Sequence, residues 1–226
     1  MSQTMSPLTS LPIAELFHSL QGEGVWTGTP MHFIRTAGCS VGEPQENLFP
    51  ILKTGKPAWL CHTYDGRAFW CDTDFQHGER IAFDTLFSTT WEKHICLTGG
   101  EPLLHKNIDE FVHEAARHHK RVHIETSGTI YREFDPSLHV WITVSPKQGC
   151  LDSMINQADE VKLLVDKGFD LNKVPPIALH HPIVYIQPVN DELAVNKDNL
   201  QLCLDILHAM PAWRLSVQLH KVFNWR

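Results

Sequence analysis

HICLTGGEPLLHKNIDEFVHEAARHHKRVHIETSG, residues 94–128, reads as a strand, a polar turn, a helix and a second strand. Residues 94–98 form a short apolar run that ends directly in Thr98-Gly99-Gly100-Glu101-Pro102. Across 108–119, Ile108, Phe111, Val112 and Ala115 recur at helical spacing, and the basic residues that follow suit a helix C-terminus. Residues 121–125 are again apolar and β-branched, and they pass straight into Glu125-Thr126-Ser127-Gly128. Two strands joined by a crossover helix predict a right-handed βαβ unit with parallel strands.

The pattern continues outward. Runs at 31–35, 140–144, 160–165, 183–187 and 214–218 have the same buried-strand character. Residues 198–210 predict a helix that groups Leu200, Leu204 and Leu207, with Asp198 as cap and Pro211 as stop. A shorter helix is expected at 84–88. Alternating strands and helices over most of the chain predict an α/β fold, an open sheet forming a modified, partial (β/α) barrel. Ligands of such sheets sit at the carboxyl ends of the strands. Thr98-Gly99-Gly100-Glu101-Pro102, Glu125-Thr126-Ser127-Gly128, Ser145-Pro146-Lys147 and Gln187-Pro188 all fall at such ends. Four polar strand ends on one side of a sheet are the pattern of an active site.

The chain has 226 residues, 42% hydrophobic and 20% charged, enough for one sizeable core. Residues 1–12 are expected to be a mobile tail and 13–226 a single domain. Residues 42–60, rich in Pro, Glu, Asn, Gly and Lys over their first part, read as an insertion. A net charge of -7 implies no basic face for nucleic acid and favours a small-molecule substrate. The expectation is a cytoplasmic protein: no apolar run is long enough for a membrane helix, and residues 1–10 lack the pattern of a secretory signal.

The cysteines stand at 39, 61, 71, 96, 150 and 203. They are too scattered for a disulfide scaffold, and reduced thiols that cluster point to metal. Cys39, Cys61 and Cys71 share one loop-rich third of the chain, and thiolates suit iron–sulfur clusters or zinc. Three thiolates on a four-iron cluster leave one iron open for a co-substrate. Cys96 and Cys203 lie in apolar patterns and read as core; Cys150 reads as a free loop thiol.

Cys39-Ser40-Val41-Gly42 and Phe69-Trp70-Cys71-Asp72-Thr73 resemble the two ends of a radical S-adenosylmethionine (SAM) cluster loop, and Gly99-Gly100-Glu101-Pro102 resembles that superfamily's site for the SAM amino group. Within the superfamily, Leu20-Gln21-Gly22-Glu23-Gly24, Arg35, Cys71-Asp72-Thr73, Glu125-Thr126-Ser127-Gly128-Thr129, Ser145-Pro146-Lys147, Gln187-Pro188 and Gln218-Leu219-His220-Lys221 are similar to the 7-carboxy-7-deazaguanine synthase family. The similarity runs from 13 to 221. It implies conversion of 6-carboxy-5,6,7,8-tetrahydropterin to 7-carboxy-7-deazaguanine with release of ammonia, in 7-deazapurine biosynthesis of the queuosine type. It also implies a [4Fe-4S] cluster on Cys39, Cys61 and Cys71, SAM, and a magnesium ion on Thr73.

By the same resemblance, SAM and cluster contacts fall to Trp70, Cys71, Asp72, Gly100, Glu101, Ser145, Lys147, Gln187, Pro188, Val189 and Asn190. Substrate contacts fall to Leu20, Gln21, Gly22, Glu23, Arg35, Thr98, Gln218 and His220; the terminal segment with Trp225 varies in the family and is given no place. No amino-acid side chain is assigned the chemistry itself, which the cluster and SAM carry. A homodimer and an electron donor of the flavodoxin or ferredoxin kind are implied as partners.

One feature departs from the pattern. The superfamily spaces its cysteines by three and then two residues, whereas here 21 residues separate Cys39 from Cys61 and nine separate Cys61 from Cys71. A long insertion is tolerable because loop-closure entropy grows slowly with length. The second gap calls for a turn, expected at Tyr64-Asp65-Gly66-Arg67. Two other readings stay open: another radical SAM enzyme, such as an activase, and a zinc- or cluster-stabilised binding protein using Cys39, Cys61, His62 and Cys71. Zinc leaves the Gly-Gly-Glu-Pro motif without a purpose.

Overall fold

The computed structural model describes residues 9–42, 58–71 and 73–223. Asp72, Trp225, residues 1–8 of the expected tail and 43–57 of the expected insertion lie outside them. In chain order the elements are β1 (Ser10–Leu20), β2 (Pro30–Thr36), β3 (Trp59–His62), β4 (Ala68–Cys71), β5 (Glu79–Ala82), α1 (Phe83–Ser88), β6 (His94–Gly99), α2 (Ile108–Arg117) and β7 (Arg121–Thr126). There follow β8 (Trp141–Val144), α3 (Asp152–Gln157), β9 (Glu160–Val165), α4 (Pro176–Leu179), β10 (Val184–Pro188), α5 (Lys197–Ala209), β11 (Arg214–Leu215) and α6 (Leu219–Phe223).

Nine strands form one open sheet in the order β11-β10-β9-β8-β7-β6-β2-β1-β5. From β2 to β11 every neighbour is parallel, as the βαβ reading expects. At the other edge β1 runs antiparallel to β2, and β5 antiparallel to β1. Among the described residues the sheet therefore has two free edges and does not close into a barrel.

Strand β1 escapes the sequence reading because its alternation is broken. A bulge between Ile13 and Glu15 inserts one residue, so Leu11 and Ile13 and then Leu16 turn toward the core. The strand starts at Ser10, so the expected tail boundary at residue 12 falls inside it. The last predicted strand is shorter than expected: β11 stops at Leu215, and Gln218 and His220 belong to a turn and to α6. In α5 the cap is Asn196, whose side chain accepts the Asn199 amide, and not Asp198. Its buried residues are Cys203 and Ile206, while Leu204 faces outward.

The alternation of the strands sorts the two faces. Ile95 and Leu97 of β6, Val122 and Ile124 of β7, and Val161, Leu163 and Val165 of β9 pack with Phe83, Leu86, Phe111 and Ile155 of the helices. The intervening Cys96, Thr98, Glu125 and Lys162 face a cavity on the other side. Cys96, expected in the core, is fully buried but stands on this polar face, beside the charges of Glu125 and Lys162. Among the described residues no helix is long and apolar enough to cross a membrane.

Candidate active site

The cavity has a volume of about 750 Å³ and lies on the face opposite the helices. Its walls include Leu20, Gln21, Gly22 and Glu23 from the β1–β2 loop, Arg35 of β2, Thr98 of β6, and Gln218 and His220 from the last segment. These are all eight residues that the sequence assigns to substrate contact. Thr73 joins the same wall, and its hydroxyl accepts a hydrogen bond from Arg35 Nη1 at 2.9 Å. Arg35 also pairs with Glu15 at 3.3 Å, so an internal acid partly meets the charge expected to seek an anion. The rings of Phe17 and Phe33 stack 4.9 Å apart and almost parallel, forming a flat apolar wall below Arg35.

Of the charges on the floor, sequence reasoning named Glu23 but assigned no role to Lys162 or Glu125. The Lys162 ammonium bonds Glu23 and Glu125, the latter at 3.0 Å. Gln21 Nε2 donates to the other Glu125 oxygen at 3.3 Å, and Gln218 Nε2 to the other Glu23 oxygen at 2.9 Å. Burial pushes both carboxyls up. For Glu23, Lys162 and the hydrogen bonds win and hold it at about 2. For Glu125 burial wins, aided by the negative charges of Glu23 and Glu160, and it stays above its ordinary value. Burial opposes the charge on Lys162, but the two acids hold it well above the usual lysine range. One signal was available: a lone lysine inside the apolar run Glu160-Val161-Lys162-Leu163-Leu164-Val165.

The strand-end motifs knit the rim. Glu101 is fully buried, and its two oxygens accept from the Leu103 amide, the Thr126 hydroxyl, and both the amide and hydroxyl of Ser127. That carboxylate joins the ends of β6 and β7. Gly100 must be glycine, because a Cβ there would lie 2.0 Å from the Gly38 carbonyl oxygen and 2.9 Å from Cys39 Cβ. The missing side chain lets the Cys39 loop lie against the end of β6. Lys147 Nζ donates to the carbonyl and hydroxyl of Ser145 at 3.0 and 2.8 Å, and burial pushes its ammonium down to about 8. Gln187 accepts from Ser216, which in turn accepts from the Gly24 amide, and Asn190 donates to Gln218. Val189 binds the Val165 carbonyl through its amide, and Pro188 pairs with Val165 in the sheet. The segment 187–190 thus supports the substrate side of the cavity as well as its rim.

The atypical cysteine spacing is resolved by a hairpin. β3 and β4 pair antiparallel, with Cys61 opposite Phe69 and Trp59 opposite Cys71. Cys61 and Cys71 are therefore diagonal neighbours on one face of the ribbon. Trp70 points to the opposite, exposed face, so toward the Cys71 side it offers its backbone. The turn is the expected one: the Gly66 amide bonds the Thr63 carbonyl, and the Thr63 amide bonds the Arg67 carbonyl at 2.9 Å.

Arg67 clasps the ribbon to the sheet through Asp65, Asp166 and the Leu164 carbonyl, and a bridge joins Thr63 to Lys147. A hydrogen bond with Cys71, burial, and the charges of Cys71 and Cys39 all hold the Cys61 thiol above its usual pKa. Burial likewise raises Cys39, although the amides of Val41 and Gly42 donate to its sulfur at 3.5 and 3.3 Å. Among the described residues no three His, Cys, Asp or Glu side chains converge on the single point that one metal ion requires. The three thiols are neighbours, with Cys61 and Cys71 in hydrogen-bond contact and the charge of Cys71 reaching Cys39.

The chain is 32% identical over 234 residues to a 7-carboxy-7-deazaguanine synthase of Buchnera aphidicola subsp. Schizaphis graminum, covering 95% of this chain and 99% of that one. It is also 32% identical over 219 residues to the protein of that name in Bacteroides thetaiotaomicron, with 95% and 98% covered. The crystal structure of QueE from Escherichia coli superposes with a TM-score of 0.67 at 26% identity, over 92% of this chain and 94% of that chain. No family model matches the chain. Near-complete coverage in both directions, in sequence and in fold, leaves one assignment: the chain belongs to the 7-carboxy-7-deazaguanine synthase family of enzymes.

Proposed function

We propose that the protein converts 6-carboxy-5,6,7,8-tetrahydropterin to 7-carboxy-7-deazaguanine with loss of ammonia, using SAM, magnesium and a four-iron cluster. The observation that carries this reading is the convergence of all eight substrate candidates and Thr73 on one cavity, on the sheet face opposite the helices. The cluster would rest on Cys39, Cys61 and Cys71. Their chemistry fits: crowded thiols that resist ionisation by one another become thiolates when a bound cation supplies the opposing charge. Amide donors on the Cys39 sulfur suit a thiolate ligand.

When bound, a cluster on Cys39, Cys61 and Cys71 would supply the one-electron reduction of SAM on which hydrogen abstraction from the substrate depends. The protein's own groups hold the reactants. Lys147 and Ser145 offer a polar edge to SAM at the end of β8, and Gly100 allows its amino group close to the backbone. Phe17 and Phe33 would flank the flat pterin, with Arg35 above them meeting its carboxylate. Thr73 would share that carboxylate with magnesium, which prefers oxygen ligands. A homodimer and a flavodoxin- or ferredoxin-type donor complete the reading.

The test is anaerobic turnover of reconstituted protein with 6-carboxytetrahydropterin, SAM, magnesium and a reductant. Formation of 7-carboxy-7-deazaguanine is expected. SAM cleavage without that product would require another substrate, and no cleavage with a cluster present would overturn the reading.

A further inference from the structure

Lys162 is a buried ammonium in the middle of an apolar strand, 6% exposed, on the side of the sheet that faces the cavity. It touches two carboxylates that come from separate parts of the chain, Glu23 of the β1–β2 loop and Glu125 at the end of β7. The remaining oxygens of those acids are taken by Gln218 and Gln21. One ammonium thus ties four segments together, and two of them carry substrate candidates. Apolar side chains in place of all three charged groups would fill the same space without desolvating them, so stability alone gives little reason for this arrangement.

We infer that Lys162 is a positioning residue for the substrate: it holds Glu23 and Glu125 in place, with one net negative charge between them, facing the donor-rich amino-pyrimidinone edge of the pterin. The inference rests on the reading of this cavity as the pterin site. Two fixed carboxylates accept hydrogen bonds from ring and amino N–H groups with defined geometry. Without the ammonium they become like charges at close range and must share a proton near neutral pH. A shared proton turns an acceptor into a donor facing a donor, and the ligand is repelled. The other ionisable groups acting on this pair are Glu160 of β9, Cys96 of β6, Arg35 of β2, Lys147 after β8 and His220 of α6.

The experiment compares wild type, Lys162→Met, Lys162→Arg and the double variant Lys162→Met/Glu125→Gln, each reconstituted and assayed from about pH 6.5 to about pH 9. Lys162→Met is expected to raise the pterin KM by at least about tenfold at pH 7, with a smaller change in kcat. That KM should fall as pH rises and the shared proton leaves. SAM affinity, read by equilibrium dialysis, should stay within about twofold, and Lys162→Arg should restore most of the KM.

A pterin KM unchanged at every pH would overturn the inference. So would a parallel loss of pterin and SAM affinity with no pH dependence, which is the signature of a merely structural lysine. If Lys162→Met does not fold, the double variant keeps the net charge of the site without its fixed geometry. Its KM should be raised and flat with pH, and a wild-type KM there would overturn the inference. An inactive wild type would overturn the functional reading itself, whereas an active wild type beside an unaffected variant overturns only the role of the lysine.

Discussion

On the cavity floor the polar side chains stand on strands of the main sheet, whereas two of the three clustered cysteines stand on a ribbon outside it. The floor inherits its geometry from the sheet. Once β6, β7 and β9 pair in register, alternation sends Cys96, Glu125 and Lys162 to the same side, while their neighbours pack under the helices. The ribbon has no such support. Two short strands are marginal alone, and this pair is held by the Arg67 clasp and the Thr63–Lys147 bridge. The difference teaches that separation along the chain says little about ligand distance once a hairpin lies between the ligands. Cys61 and Cys71, far apart for this superfamily, become diagonal neighbours across two strands.

The comparison breaks most simply at Cys61. Cys61→Ala should leave reconstituted protein without a four-iron cluster and reduce activity to background, while Cys203→Ala, buried under α5, should keep both. Iron content and the charge-transfer absorbance check this, and an intact cluster in the Cys61 variant would reject the ribbon as its holder. Arg67→Ala comes next. It removes a largely buried cation and strands Asp65 and Asp166, which should cost about 2–4 kcal/mol in denaturant unfolding. The sharper outcome is selective: cluster retention on desalting should fall before pterin binding does, because the floor does not depend on the clasp.

Much of the parallel sheet was legible because each buried strand is a short β-branched run ending in a polar motif. β1 was not, since its bulge breaks the alternation that sequence reasoning looks for. β3 and β4 were hidden by length: strands of four residues beside a long insertion leave almost no periodic signal. The substrate wall was legible through Leu20-Gln21-Gly22-Glu23, Gln218 and His220, all of which line the cavity. Lys162 and Glu125 were not assigned because the reason for a charge in an apolar strand is its partner, and that partner lies far away in sequence. Glu101 was read from its motif as a SAM contact, yet its carboxylate also ties two strand ends together with four hydrogen bonds.

On the floor, Gly24 is the tightest backbone position. It has φ +65, and an added Cβ would lie 2.1 Å from a Glu160 oxygen that already accepts from Thr143, while the other oxygen accepts from the Val25 amide. Gly24→Ala should destabilise the protein by about 1–3 kcal/mol and raise the pterin KM, because the same loop carries Gln21 and Glu23. Gly28 is the control: its φ is also positive at +88, but nothing lies within 4 Å of an added Cβ. Equal losses in thermal unfolding of the two alanine variants would mean that backbone conformation alone, and not the Glu160 contact, explains the effect.

The smallest effect lies at the base of the floor, where His94 Nδ1 and His123 Nε2 share a hydrogen bond of 2.8 Å against the Trp26 ring. That bond needs one nitrogen as donor and the other as acceptor, so the two rings cannot both be protonated and keep it. Burial, the neighbouring His94 and the Arg121 guanidinium hold His123 down at about 3, against an ordinary value of 6.5. Above pH 6.5 His123 is neutral both folded and unfolded, and contributes no pH dependence. Below it, the unfolded chain takes a proton that the folded one refuses, so stability falls with acid until the pH nears 3. The slope from this group is at most about 1.4 kcal/mol per pH unit. His123→Gln keeps a hydrogen-bonding side chain but removes the titration. Its stability at pH 7 should drop by only about 1 kcal/mol, while its loss between pH 6.5 and pH 5 should be visibly shallower than that of the wild type. An unchanged slope would mean that His123 accepts its proton in the folded state, and that the base of the floor opens in acid while the strands above it hold.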